Sequence, residues 1–144
     1  MPGMDSTPDS IPSCCLQALK QLLGPLGYLE SAADRAPFEV DFRGIHRGRT
    51  PLVALPQSTA HVSELLSYCA DRGIGIVPQG GNTSYCGGAT PGAGNDEIVL
   101  SLRRMSRIRS LDASGDSITA EAGCVLATLQ GAAATAGRLL PMSL

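Results

Sequence analysis

The chain has 144 residues, of which 43% are apolar and 17% charged, and its formal net charge is −2. That length supports one domain with a real core, and the slightly acidic balance argues against a general attraction to nucleic acid or anionic membranes. Three Tyr, two Phe and no Trp leave little for a base-stacking platform and imply a core of Leu, Ile, Val and Ala.

Residues 1–12 are rich in Pro, Ser and Asp and are expected to be disordered. Ser13 can cap a helix. Cys15, Leu19, Leu22, Leu23 and Leu26 then recur at helical spacing, and Gly24-Pro25 closes a helix over Ser13–Leu23. Residues 28–50 show little periodicity and concentrate Arg35, Arg43, His46, Arg47 and Arg49. They read either as a solvated surface loop or as an arm reaching a cofactor or an acidic substrate, because Arg recognises carboxylate and phosphate in a bidentate manner. The boundaries drawn are 1–12, 13–50 for the helix and Arg-rich arm, and 51–144 for the domain that the later motifs assign.

Residues 52–55 form an apolar run closed by Pro56, which fits a strand. Ser58 or Thr59 can cap the next helix, whose stripe is Val62, Leu65, Leu66, Cys69 and Ala70, with Gly73 as its stop. Residues 74–77 are the following strand, so strand, helix and strand make a compact βαβ unit with parallel strands. Residues 97–102, 108–111 and 118–121 read as three more strands. The last two are joined by a turn at 112–116 with Gly115 available for a positive φ. Val125, Leu126, Leu129, Ala132, Ala133 and Ala136 make a second clear helix, stopped by Gly137. The expected fold class is α+β, close to α/β: a βαβ unit, antiparallel strands and flanking helices.

The stretch that needs a chemical explanation is Pro78-Gln79-Gly80-Gly81-Asn82-Thr83-Ser84-Tyr85-Cys86-Gly87-Gly88. It leaves the C-terminal end of a strand, where ligands favour binding in open α/β sheets. Its glycines and small polar residues can be a flexible surface turn. They can also present converging N–H groups and hydroxyls to a phosphate or pyrophosphate without any Lys or Arg. Common nucleotide motifs fail here: GxGxxG is broken by Pro78, and GxxxxGK[ST] has no lysine. No GxSxG elbow, Ser–His–Asp set or paired-carboxylate signature is present. Five cysteines without a CxxC pair, and only two His, argue against zinc and for reduced thiols, Cys86 being set apart by its place in the loop. No run reaches membrane-spanning length and no signal-peptide pattern opens the chain, so a cytoplasmic protein is expected.

Taken in order, several segments resemble one family. Residues 78–83 with Gly87-Gly88 resemble the diphosphate loop of the vanillyl-alcohol oxidase / p-cresol methylhydroxylase (PCMH) type of FAD-binding domain. Leu55-Pro56-Gln57-Ser58-Thr59, Asp96-Glu97-Ile98-Val99-Leu100-Ser101-Leu102, Arg104-Met105, Ala120-Glu121-Ala122-Gly123-Cys124-Val125-Leu126 and Pro141-Met142-Ser143-Leu144 extend the likeness over residues 40–144. Within that superfamily the chain looks most like the D-2-hydroxyacid dehydrogenases, those acting on D-2-hydroxyglutarate, D-lactate or glycolate. The resemblance implies a flavoprotein oxidoreductase with non-covalent FAD, since the loop lacks the His that tethers flavin in some relatives. It implies diphosphate contacts from Gly80, Gly81, Asn82, Thr83 and Ser84, and a loop shaped by Pro78, Gln79, Gly87 and Gly88. It also implies cofactor-lining positions at Pro56, Gly123, Pro141, Met142 and Ser143. Ser84 departs from the family's usual Gly, and Ser143 from its frequent Asp. No catalytic or metal-ligating residue is assigned. The hydroxyacid partner is expected to bind a C-terminal domain beyond residue 144, so the chain reads as a truncated, inactive piece. A homodimer and peripheral attachment to the inner membrane stay open. So do a flavin-dependent UDP-sugar reductase relative and a non-catalytic nucleotide-binding or assembly module.

Overall fold

The computed structural model describes residues 10–142. Helix α1 spans Ser13–Leu23 and buries Leu19 and Leu23; Gly24, at φ 73, turns the chain and donates its N–H to the Lys20 carbonyl. The cap is Pro12, not Ser13, which is the first helical residue, and no side chain caps this end. Proline suits that place because its fixed φ is pre-set for helix entry. Ile11 is buried among the core residues. Order therefore begins ahead of Ser13, while residues 1–9 lie outside the described part.

The sequence reading missed the short elements that follow. Strand β1 is Tyr28–Leu29, helix α2 is Ala32–Arg35, capped by Ser31, and a 3-10 turn covers Ala36–Phe38. Strand β2, Val53–Ala54, helix α3, Thr59–Ala70, and strand β3, Gly75–Gln79, form the expected βαβ unit. Ser58 caps α3 by accepting the His61 N–H at 3.2 Å. Only Leu65 and Cys69 of α3 are buried, with Val62 and Tyr68 beside them, whereas Leu66 and Ala70 face outward. The buried stripe is narrower than the apolar pattern suggested.

Strand β4, Glu97–Ser101, lies between β2 and β3, parallel to both, and β1 adds antiparallel to β2. Strands β5, Ile108–Asp112, and β6, Ser117–Ala120, pair antiparallel in a sheet of their own. In their turn the positive φ falls on Asp116 (47°), not on Gly115, while Asp112 Oδ1 accepts the N–H groups of Ser114 and Gly115. Helix α4 is Leu126–Thr135. No helix among the described residues is long and apolar enough to cross a membrane.

Side chains alternate across a strand, and here both faces are covered. Leu52, Ala54, Ile98 and Leu100 meet α1 and α3 through Leu19, Leu23, Leu65 and Cys69. Val53, Leu55 and Val99 meet Phe38 on the opposite face. Two covered faces explain the unbroken apolar runs of β2 and β4. Because α1 and β1 share this core and sheet, the segment drawn as 13–50 is continuous with the domain after it. The Arg-rich arm is a braced turn, not a free loop. Val40 and Arg47 form a bridge, and buried Asp41 accepts the N–H groups of Arg43 (3.3 Å) and His46 (2.7 Å).

Candidate functional site

The three parallel strands end on the same edge, at Ala54, Gln79 and Ser101. A cleft of about 790 Å³ opens near that edge. One wall is Gly80, Gly81 and Thr83. The others are Arg103 and Ser106, from the turn after β4, and residues 122–126 with Thr128, from the start of α4.

The glycine wall is built for something other than protein. A Cβ added at Gly80 would meet nothing within 4 Å, and one at Gly81 only the Thr83 methyl at 3.9 Å. Neither glycine has a positive φ, so the fold itself asks for no glycine at either place. Among the described residues, no N–H of residues 80–84 donates to a protein acceptor. Across the cleft, α4 begins with Val125, which offers no side-chain cap. The N–H groups of Leu126 and Ala127 also lack a protein acceptor. Free donors at a ten-residue helix start carry the positive end of its dipole. Open space over two glycines, with unclaimed donors on two walls of one cleft, fits an oxyanion-rich group such as a diphosphate.

Other predicted residues hold this wall in place. Gln79 is 2% exposed and points inward, its Nε2 donating to the carbonyls of Phe38 (3.1 Å) and Ala89 (2.7 Å). Asn82, in the left-handed region at φ 57, donates Nδ2 to Val40 O (2.7 Å) and Pro37 O (3.3 Å), and its Oδ1 is buried without a partner. Gly87, at φ 73, lies against the His46 ring, which a Cβ there would approach to 2.7 Å. Ser84 Oγ accepts the Cys86 N–H at 3.4 Å. Pro78 and Gly88 are exposed outside the cleft lining.

The remaining expected positions differ in their surroundings. Pro56 is under 2% exposed, so it packs beneath the site and presents no surface to a cofactor. Pro141 and Met142 are exposed and do not line the cleft; the Met142 carbonyl is held by Gln130 Nε2 at 2.7 Å. Ser143 lies outside the described residues. Gly123 does line the cleft, but its glycine serves the fold: its N–H donates to Met105 O at 2.9 Å, and a Cβ would sit 1.9 Å from Leu102 O.

The sequence reading also missed Arg103, Ser106 and Thr128, together with the α4 start. It treated the loop as binding without formal charge, yet Arg103 is a charged member of the same lining. Its guanidinium carbon stands 5.1 Å from the Phe38 ring centroid. An Arg two residues past a strand end that borders a glycine loop was the available signal.

Beside the cleft, the buried carboxylate of Glu121 receives Arg107 through Nε (3.1 Å), Nη2 (2.8 Å) and the backbone N–H (3.0 Å), with Arg109 at 3.5 Å. The Arg107 hydrogen bonds, side chain first, hold its pKa down to about 2 against an ordinary 4.5. A carboxyl depressed on folding stabilises fully above its unfolded pKa and loses that effect as pH falls through its folded pKa. Melting temperature should therefore fall with acid between 4.5 and about 2. The Glu121→Gln variant, less stable at neutral pH, should show a shallower fall; an unchanged slope would remove Glu121 as the cause.

Residues 50–144 match the FAD binding domain family. The chain is 38% identical over 125 residues to a probable mitochondrial D-2-hydroxyglutarate dehydrogenase of Oryza sativa subsp. indica, covering 87% of the chain and 22% of the relative. It is 35% identical over 136 residues to a putative mitochondrial D-lactate dehydrogenase of Schizosaccharomyces pombe, covering 90% and 26%. The chain thus spans roughly a quarter of the length of these curated relatives. Among solved structures, p-cresol methylhydroxylase superposes with a TM-score of 0.74 at 18% identity, over 90% of this chain and 26% of that one. The 6-hydroxy-D-nicotine oxidase of Arthrobacter nicotinovorans superposes with a TM-score of 0.67 at 26% identity, over 80% and 25%. With a cleft that suits a diphosphate, the PCMH-type fold and a family match over residues 50–144, the chain belongs to the FAD binding domain family, and its cofactor is FAD.

Proposed function

We propose that this chain is the FAD-holding part of a dehydrogenase that oxidises a D-2-hydroxyacid, of the D-2-hydroxyglutarate or D-lactate class, to the 2-oxoacid. The observation that carries the reading is the pairing of unclaimed N–H donors on residues 80–84 with the uncapped start of α4 across one cleft. The choice of substrate class rests on the 38% and 35% identities to dehydrogenases bearing those names.

The N–H groups of Gly80 and Gly81, the Thr83 hydroxyl and the N–H groups of Leu126 and Ala127 hold the cofactor's diphosphate. Gln79 and Asn82 fix the loop that carries the first set. Bound FAD supplies the two-electron acceptor for C2 of the hydroxyacid. Attachment is taken as non-covalent, as the family resemblance implies for a loop without the tethering His. The cleft lining offers no His, Asp or Glu to take a proton from the substrate hydroxyl. We place the groups that bind and deprotonate the hydroxyacid on a longer polypeptide, because the chain spans about a quarter of the length of the dehydrogenases it resembles.

The test compares this chain with such a longer polypeptide. Both should take up FAD, giving a yellow protein with absorbance near about 450 nm. Only the longer one should reduce a dye with D-2-hydroxyglutarate or D-lactate. A chain that stays colourless in excess FAD would defeat the cofactor reading. Turnover by the 144-residue chain alone would defeat the placement of the substrate groups outside it.

A further inference from the structure

The chain carries ten arginines, six of them from Arg72 onward, and those after β4 divide sharply by partner. Arg104 donates to the Leu26 carbonyl at 2.5 Å. Arg107 and Arg109 share Glu121, and Arg138 pairs with Asp116 at 2.5 Å. Arg103 alone among these makes no hydrogen bond or ion pair within the described residues. It rests over Phe38, 5.1 Å from the ring centroid, and borders the cleft, where every other lining residue is uncharged. On a chain of net charge −2, a cation left without a carboxylate beside unclaimed N–H donors is arranged for an anion that is not protein.

Resting on the FAD reading, we propose that Arg103 is the ionic contact to the cofactor's diphosphate, a cofactor-binding residue that the glycine loop alone does not supply. Phe38 holds the guanidinium by its ring face, a favourable seat for a planar cation. Phe38 is itself under 9% exposed and tied through its carbonyl to Gln79. The same buried side chain thus positions the cation and the start of the glycine loop. A planar fork meets two phosphate oxygens through parallel N–H donors, a geometry that an ammonium, acting as a point charge, does not reproduce. Backbone donors fix the diphosphate's position, and Arg103 adds a charge-dependent share of affinity that salt can screen.

The experiment measures FAD affinity of the full 144-residue chain by quenching of flavin fluorescence, at low and at high KCl. Wild type, Arg103→Met and Arg103→Lys are compared. Riboflavin, which lacks the diphosphate, serves as a second probe. The expected result is a Kd for FAD about tenfold weaker in Arg103→Met at low salt. The wild-type loss of affinity with salt should be nearly absent in that variant and largely kept in Arg103→Lys. Riboflavin binding should be the same in all three. Equal Kd values and equal salt dependence in wild type and Arg103→Met would overturn the assignment while leaving the FAD reading intact. A wild type that binds no FAD would overturn both. Arg103 is exposed, and unchanged melting of the three apoproteins would confirm that the comparison concerns the ligand.

Discussion

Alanine at Gly123 is expected to lower the stability of the chain by about 2–3 kcal/mol and to abolish FAD uptake. The obstruction is backbone, not a movable side-chain end: an added Cβ lies 1.9 Å from Leu102 O and 2.9 Å from Met105 O. Those two carbonyls are held by their own turn, in which Met105 N–H donates to Leu102 O at 2.8 Å. Relief must come from moving residues 121–124 away, which breaks the bond from Gly123 N–H to Met105 O and pulls against buried Glu121. Residues 122–126 form one wall of the cleft, so the same displacement shifts the free donors of α4. Urea unfolding reads the first effect and flavin fluorescence the second. A variant as stable as wild type would show that the turn yields more easily than its geometry implies.

Alanine at Gly80 is expected to do the reverse. The site has room for a Cβ and no positive φ, so stability should be unchanged or higher by up to about 1 kcal/mol, because alanine narrows the unfolded ensemble. FAD affinity should nevertheless fall by roughly 10- to 100-fold, the equivalent of the ~1–3 kcal/mol that forcing an extra methyl into a filled space costs. Melting of the apoprotein and FAD titration separate the two effects. Undiminished affinity would mean that the open space over Gly80 is not where the diphosphate lies. The pair of substitutions distinguishes a glycine kept for the chain from a glycine kept for its ligand.

Strong local patterns made much of the fold legible. The apolar runs at 52–55, 74–77 and 97–102 gave the parallel strands, and helical spacing gave α1, α3 and α4. Strand β1 and helix α2 were not legible because two and four residues are too short to show a period. Nor does any local pattern record that β4 enters between β2 and β3; strand order is settled by packing on both faces. In the site, the glycine loop announces itself by composition. Arg103 does not, since Leu102-Arg103-Arg104 reads as ordinary surface charge until the fold sends one Arg to the Leu26 carbonyl and the other to the cleft. The start of α4 is silent for a different reason. Val125 is not a capping residue, and the absence of a cap becomes informative only when the helix start is seen to line the same cleft as the glycine wall. The burial of Pro56 was not legible, because a family resemblance places a residue along the chain and says nothing of whether that strand end is roofed over.

The position of β4 bears on how the chain reaches this state. Among the described residues, strand β3 pairs with β4 and with no other strand. During synthesis the glycine loop and both strands of the βαβ unit are therefore made before the strand that joins them. Until then β2 and β3 each present an open edge, and the loop at 80–84 is braced only by the Gln79 and Asn82 side chains, with the facing wall of the cleft not yet made. Closing the sheet requires Val53 to meet Val99 across a long stretch of chain, a contact that loop-closure entropy makes slow. The cofactor's seat is consequently a late product of folding. A nascent polypeptide halted before residue 97 would expose Ile76 and Val77 as an unpaired edge, the form of this protein most prone to self-association.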